Sequence, residues 1–339
     1  MTDFRLSVDN AVPYLRRRGV LSADEATVES LGGGVSNVVL RVSGDDDCVV
    51  AKQPLSNLAV EADWPADVDR VHNEADAARA YARLLCDAPD VAVPGVTFED
   101  ESAHVVTFEC APTTAEMWKQ DLLDGRVNVD IARRLGSLLA TVHDHAPETE
   151  GLRERFGNDE PFVQLRVTPY HRTVAEEHPD VADTVEAEID RMAECDETLV
   201  HGDFSPKNVL CDATTGDEPT LWVLDFEVAH WGDPAFDAAF MLNHLFIKSV
   251  YNDDRQSAYF DAAREFWTAY RADFDSNESD VVTELAILML ARVDGRSPVE
   301  YVTRPRTKET LRTVSKRCLR EDIETVDDFA GLVAAVSDR

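Results

Sequence analysis

The chain lacks any apolar run approaching about 18 residues, so no membrane-spanning helix is expected. Its first ten residues, MTDFRLSVDN, lack a basic region followed by an apolar one, so no secretory signal is visible. The six cysteines (Cys48, Cys86, Cys110, Cys195, Cys211, Cys318) include no C-x-x-C pair, which argues against both a zinc framework and a disulfide ladder. A reducing cytoplasm is the default compartment. Lysines are few, and positive charge as a whole is scarce: 33 Lys plus Arg stand against 66 Asp plus Glu, a formal net charge of −33. Phosphate backbones need a cationic footprint, so nonspecific nucleic-acid binding is disfavoured and no nucleic-acid partner is expected. No internal repeat or low-complexity segment is present.

The acidic residues are spread in pairs and triplets (Asp45–Asp47, Glu176–Glu177, Asp253–Asp254) rather than gathered into a tail. Such a surface repels itself in dilute salt and is screened at high ionic strength, where the Debye length falls to about 3 Å at 1 M. It suits a salt-rich, halophilic cytoplasm; a basic partner is the competing reading. The 339 residues, 44% of them hydrophobic, suffice for two domains with a sizeable core.

Hydropathy patterning divides the chain near residue 110. The β-branched VSNVVLRV (35–42), the turn signal GDDD (44–47) and CVVAK (48–52) read as a hairpin. Pro65 opens a helical segment with Val68, Val71, Ala75 and Ala78 near a 3.6-residue period. VAVPGVTF (91–98) and AHVVTFE (103–109) read as two further strands. Beyond 111, VDIARRLGSLLATVHDHA (129–146) sets Ile131, Leu135, Leu138 and Val142 on one helical face. A less regular stretch is expected to about 178, a helix over 179–193, strand–loop units around 201–227, and helices from AFDAAFMLNHLFI to the end.

Four short stretches carry chemistry. LGGGVSNVVL (31–40) is a glycine-rich turn whose backbone N–H groups can approach an anion, although a three-glycine hairpin is often only a turn. Lys52 lies late in an apolar strand; it either snorkels from the strand end or meets a partner, for which Glu74 on the next helix is placed. HGDFSPKNVL (201–210) sets His201, Asp203, Lys207 and Asn208 in a loop anchored by Val209 and Leu210. In WVLDFE, Asp225 follows three apolar residues, and buried acids are rare unless paired. Asn208 and Asp225 offer hard oxygens suited to Mg²⁺. An Asx-turn at Asp203 with a core His201 is the bland alternative for the loop.

HGDFSPKN resembles the catalytic loop of aminoglycoside phosphotransferases, choline kinases and related small-molecule kinases. LDFE resembles their metal motif, GGGVSN their nucleotide loop, and Lys52 and Glu74 their strand lysine and helix glutamate. The resemblance runs in order from about Leu31 to Asp237. It implies an α+β, protein-kinase-like bilobal fold, with a β-rich nucleotide-binding lobe over 1–110 and a mainly helical catalytic and acceptor-binding lobe over 111–339. It implies ATP and Mg²⁺ as cofactors and a small hydroxylated acceptor (sugar, amino-sugar or amino alcohol), with no nucleic acid and no membrane, in a monomer or homodimer. By the same resemblance, Gly32, Gly33, Gly34 and Ser36 cover the phosphates, and Lys52 binds them, held by Glu74. Phe108 to Ala111, including Cys110, form the hinge that reads the base. Asn208, Asp225 and Glu227 serve the metal, and Asp203 is the catalytic base.

Asp237 is expected to brace the catalytic loop from a helix start. Lys207 reads equally as a γ-phosphate contact or an exposed lysine. Arg292 and Arg296 read as helix-end charges, with a grip on an anionic acceptor as the alternative. Only about a dozen residues separate Asp225 from Asp237, too few for the peptide platform of a protein kinase, so a small acceptor is favoured. AKQPL and the later DWP resemble methylthioribose kinases locally, which makes that kinase an alternative. A non-catalytic nucleotide-binding regulator is a second one.

Overall fold

A computed structural model describes residues 4–23, 25–32, 36–44, 47–59, 64–88, 90–214, 216 and 218–338. Gly33 and Gly34, expected at the phosphates, and Asp45 and Asp46, expected in a turn, lie outside the described residues. The chain forms two compact units: residues 1–115 with 211–228, and residues 116–210 with 229–339. This differs from a single cut at 110. Residues 211–228 return to the first unit because the strand Thr220–Val223 pairs in parallel with Val91–Ala92.

The first unit contains α1 (Ala11–Arg17), β1 (Thr27–Ser30), β2 (Asn37–Ser43), β3 (Cys48–Pro54), α2 (Arg70–Leu84), β4 (Val91–Ala92), β5 (Val96–Asp100) and β6 (Val105–Glu109). Five of these strands form an antiparallel sheet in the order β1-β2-β3-β6-β5. Side chains alternate between its faces. Leu40, Val42, Val49, Ala51 and Val105 bury one face beneath Leu6, Ala11, Tyr14 and Leu15. Lys52, next to Ala51, therefore projects from the other face, the side on which it meets Glu74 of α2.

The sequence pattern started α2 at Pro65. The structure starts it at Arg70, because Trp64 N–H is captured by Asn57 Oδ1 and Pro65 bridges to Asn57 in extended backbone. The cysteine expectation also needs correction. The β3–β6 register, Val49 opposite Glu109, brings Cys48 to Cys110 as a disulfide with a Cα–Cα distance of 5.8 Å. A pairing across 62 residues of sequence has no local signature, so a scan for closely spaced cysteines does not find it.

The second unit contains β7 (Glu116–Met117), α3 (Trp118–Leu123), α4 (Val129–His145), the short α5 (Leu152–Arg155) and α6 (Glu160–Phe162), and a π-helical run Val163–Arg172 that continues into α7 (Thr173–Glu177). It goes on with α8 (Ala182–Glu194), β8 (Thr198–Val200), a 3-10 turn Pro206–Asn208, β9 (Val209–Asp212, whose last two residues belong to the first unit), β11 (His230–Gly232), α9 (Pro234–Tyr251), α10 (Gln256–Asp273), α11 (Glu278–Asp294), α12 (Pro305–Cys318) and α13 (Val326–Ser337). The strand Thr220–Val223 of the first unit is β10.

The stretch read as irregular to 178 is thus largely helical. Its wide π turns and internal Pro169 break the 3.6-residue period that a pattern search follows. Gly136 on α4 lets α10 approach closely, since a Cβ there would sit 2.2 Å from the Phe266 carbonyl oxygen. No helix among the described residues is long and apolar enough to cross a membrane.

Candidate active site

In the first unit the part-buried Lys52 ammonium bridges two carboxylates. It donates to Glu74 Oε1 and, at 2.9 Å, to Asp225 Oδ1. Burial opposes its charge, but Asp225 and Glu74 more than offset it, so the pKa of Lys52 is raised and the side chain stays a cation. Burial pushes the Glu74 carboxyl up; Lys52 counteracts part of this, and the carboxylates of Asp225 and Glu227 add to it. Glu74 Oε2 is buried without a hydrogen-bond partner in the structure. The pocket of charge around Lys52 is therefore over-supplied with carboxylate, the condition that a further cation relieves.

Asp225 sits just past β10 at φ 72°, in the left-handed region. Asp tolerates that region better than most residues, at a cost of roughly 1–2 kcal/mol. Glu227, expected at the metal, meets three protein side chains. Its Oε1 accepts from Ser36 Oγ at 2.8 Å, and its Oε2 from Asn37 Nδ2 at 2.9 Å and Arg70 Nε at 3.0 Å. Both oxygens are engaged, so Glu227 ties the exit of the glycine-rich turn to the DFE segment.

Arg70, which the sequence reading missed, completes that tie. It is 1% exposed and also donates to the carbonyls of Asp67, Ser36 and Leu55 at 2.5, 2.6 and 3.0 Å. Its one available signal was position: Arg70 lies one turn before Glu74 on the same face of α2. Gly32 is exposed at the entrance of the turn. Phe108 lies on β6 with its ring 5.7 Å from Lys52 Nζ, and Cys110 follows the strand in its disulfide.

In the second unit, the HGDFSPKN loop leaves β8 and is held from below by Asp237, which is fully buried on the first turn of α9. Asp237 Oδ2 accepts from His201 N–H at 2.6 Å and Oδ1 from Gly202 N–H at 2.8 Å. The brace expected from sequence is present. Gly202 has φ 75°, which a side chain would strain. Asp203, 3% exposed, donates its N–H to His201 Nδ1 at 3.2 Å. That bond requires the lone pair on Nδ1.

Asp203 Oδ2 faces Lys207 Nζ at 2.8 Å and Arg166 Nη2 at 3.1 Å. Arg166, in the π-helical run, also donates to the Gly202 carbonyl at 2.8 Å and was not legible beforehand. Asn208 Nδ2 donates to the Asp203 carbonyl at 2.9 Å, which leaves Oδ1 as the acceptor of that amide. An acid–amide pair of this kind can orient a hydroxyl and offer an oxygen to a cation. The Asp225 carboxylate in the first unit and the Asn208 amide oxygen in the second are each hard oxygen donors of the kind that Mg²⁺ takes.

Comparison with known proteins decides the family. Residues 27–274, more than half of the chain, match the model of the phosphotransferase enzyme family (APH). The chain belongs to that family. A methylthioribose kinase from Exiguobacterium sibiricum is 24% identical over 301 residues, spanning 79% of this chain and 73% of that protein. Among solved structures, the amicoumacin kinase hAmiN in complex with AMP-PNP, Ca²⁺ and Ami matches with a TM-score of 0.56 at 12% identity, over 93% of this chain and 95% of that one. A choline/ethanolamine kinase family protein from Mesorhizobium loti matches with a TM-score of 0.51 at 16% identity, over 97% and 91% of the two chains. The likeness to these structures is one of fold. The phosphotransferase is an α+β protein of kinase-like fold in a family of small-molecule kinases.

Proposed function

We propose that this phosphotransferase moves the γ-phosphate of ATP to a hydroxyl of a small molecule in a Mg²⁺-dependent reaction. The observation that carries the reading is the Lys52 ammonium clamped between Glu74 and Asp225. A part-buried lysine kept cationic by two carboxylates, one of them in left-handed backbone, is equipment for phosphate and cation binding, and phosphoryl transfer relies chiefly on positioning and charge neutralisation.

Lys52 would bind the nucleotide phosphates, oriented by Glu74. Asp225 and Asn208 would hold Mg²⁺, which when bound neutralises charge on the phosphate oxygens. Asp203 would orient the acceptor hydroxyl and take its proton, with Arg166 and Lys207 fixing the carboxylate. Gly32 and Ser36 would shape the phosphate turn, with Arg70 and Glu227 holding its exit. Phe108 and the Cys110 backbone are proposed at the base.

A coupled assay of ADP release over a panel of sugars, amino alcohols and aminoglycosides, with Mg²⁺ present and then chelated, tests this. Asp203→Asn is expected to keep nucleotide affinity and lose on the order of 10² or more in turnover. Asp225→Ala is expected to weaken Mg²⁺-nucleotide binding itself. Wild-type turnover in the first variant, or unchanged nucleotide affinity in the second, removes the corresponding role. Tight ATP binding with no acceptor turned over favours a nucleotide-binding regulator instead.

A further inference from the structure

The chain has only six lysines, and three of them, Lys119, Lys207 and Lys248, gather in the second unit with Arg166 and Arg292. The gathering is built on two tyrosine rings. Arg166 lies 5.7 Å from the Tyr170 ring centroid, and Arg292 lies 5.6 Å from the same ring. Lys248 Nζ and Lys119 Nζ lie 5.3 and 5.9 Å from the Tyr301 ring. Arg166 also reaches Asp203, so the cluster begins at the proposed catalytic carboxylate. From there Tyr170 leads to Arg292, whose Nη1 donates to the Tyr170 hydroxyl at 3.0 Å. Phe240, stacked on Tyr170, leads through His244 towards Lys248 one turn further along α9.

Lys119 pairs with Glu300, and Lys207 and Arg166 pair with Asp203, whereas Arg292 and Lys248 hydrogen-bond to no carboxylate among the described residues. Among the described residues, Arg292 donates only to neutral oxygens, the Tyr170 hydroxyl and the carbonyl and hydroxyl of Ser297, and its Nε is buried without a partner. Lys248 is fully buried, and among the described residues its ammonium donates only to the His244 carbonyl, at 3.3 Å. The Tyr301 hydroxyl is buried and unpartnered. Buried cations without counter-charge are costly and are kept where something else supplies the charge.

We infer that the acceptor is a hydroxylated anion, its carboxylate or phosphate group held by Arg292 and Lys248 while its hydroxyl reaches Asp203. This rests on the kinase reading above and narrows it, since amino-sugars and amino alcohols bring the opposite charge. Three titrating groups report the positive field. Burial raises the Tyr170 phenol, yet Arg292 and Arg166, with Lys207, bring it below its ordinary value. Burial lowers Lys248 to about 7, with Lys119 and Arg292 adding to the effect and Glu300 opposing it. His244 is lowered first by burial and then by Lys248 and Arg292.

Four probes of one hydroxylated frame separate the charges: glucose, glucosamine, gluconate and glucose 6-phosphate. ADP release and equilibrium binding are both measured, each at matched ionic strength. An anionic probe should bind at least about tenfold tighter than glucose, the effect of one or two charge-assisted hydrogen bonds, and glucosamine should be weakest. Arg292→Met and Lys248→Met should each erase that preference while leaving the KM for ATP unchanged. Equal binding of all four, or preference for glucosamine, overturns the inference, and turnover of neutral or cationic acceptors alone does so while leaving the kinase reading intact. Charge-selective binding without ADP release from any acceptor supports the anion site and counts against the kinase reading. Preference between gluconate and glucose 6-phosphate assigns carboxylate or phosphate.

In the first unit, Asp69, His72 and His104 each place one ligand atom within 4.8 Å of the other two. His72 Nδ1 lies 2.6 Å from Glu99 Oε1, which fixes it as the N–H donor and leaves the lone pair on Nε2, buried and without a partner. His104, at φ 48° in the turn between β5 and β6, brings Nδ1 to 3.2 Å from Asp69 Oδ1 without forming a hydrogen bond. Two imidazoles, one carboxylate and a carboxylate behind the first imidazole are the donor set of a zinc-class cation.

We propose that these three residues bind one divalent d-block ion, fastening α2 to the β5–β6 turn. Titration of the protein with Zn²⁺ in excess Mg²⁺, which occupies oxygen-only sites, should show one site that His72→Gln and His104→Gln each abolish. Glu99→Gln should weaken it about 10- to 100-fold. Zinc stoichiometry and affinity unchanged in both histidine variants overturn the proposal.

Discussion

Asp237 offers the sharpest test of how the catalytic loop is held. Its side chain is fully buried, and its two oxygens accept the N–H groups of His201 and Gly202 at 2.6 and 2.8 Å. Asp237→Ala leaves both donors buried and unsatisfied, at about 1–3 kcal/mol each, so a loss of about 2–6 kcal/mol is expected. That is a large share of the roughly 5–15 kcal/mol that stabilises a typical domain. Asp237→Asn keeps one acceptor and turns an NH₂ group towards the other N–H, so a smaller loss, about 2–3 kcal/mol, is expected. Urea unfolding at fixed high KCl reads the stability, and hydrogen exchange at the Gly202 amide reads the loop directly. Faster exchange at Gly202 with a fall in turnover, and with nucleotide affinity retained, is the expected pattern. Both variants within about 0.5 kcal/mol of wild type, with Gly202 still protected, would refute the brace.

Three further outcomes are expected. Arg70→Met should cost about 3–5 kcal/mol, because it leaves the Glu227 carboxylate buried without its charge partner; a loss under 1 kcal/mol in urea unfolding would contradict the tie. Lys248 has its pKa depressed from 10.5 to about 7, so between those values the unfolded chain binds a proton that the folded chain does not. Stability should therefore rise with pH across that window, by at most roughly 5 kcal/mol, and Lys248→Met should flatten the rise when unfolding is measured at several pH values. The net charge of −33 should make the thermal midpoint climb as KCl is raised from about 0.1 to about 2 M, where the Debye length shrinks below the spacing of surface charges. A midpoint independent of salt would count against self-repulsion as the dominant surface term.

The family and the fold class were legible in the linear chain because their signals are local. A catalytic loop, an LDFE segment, a strand lysine and a helix glutamate each occupy a few residues, and their order along the chain is preserved. The Asp237 brace was legible for the same reason: an acid on a first helical turn is placed to accept backbone N–H groups. The protein partners of Glu227 were not legible, because Ser36, Asn37 and Arg70 lie more than 150 residues away. Arg166 stayed hidden in a π-helical run whose period matches no amphipathic template.

By itself the sequence determined which groups the chain possesses and the order in which short elements present them: period-2 strands, period-3.6 helices, and loops too polar to bury and too apolar at their ends to float. Only the tertiary structure decided which of those groups meet. It joined Cys48 to Cys110, engaged both oxygens of Glu227, and set Lys119 and Lys248 over the Tyr301 ring. The physical reason is that local conformation follows from neighbours a few bonds away, while pairing, burial and field depend on chain returns that no short window contains.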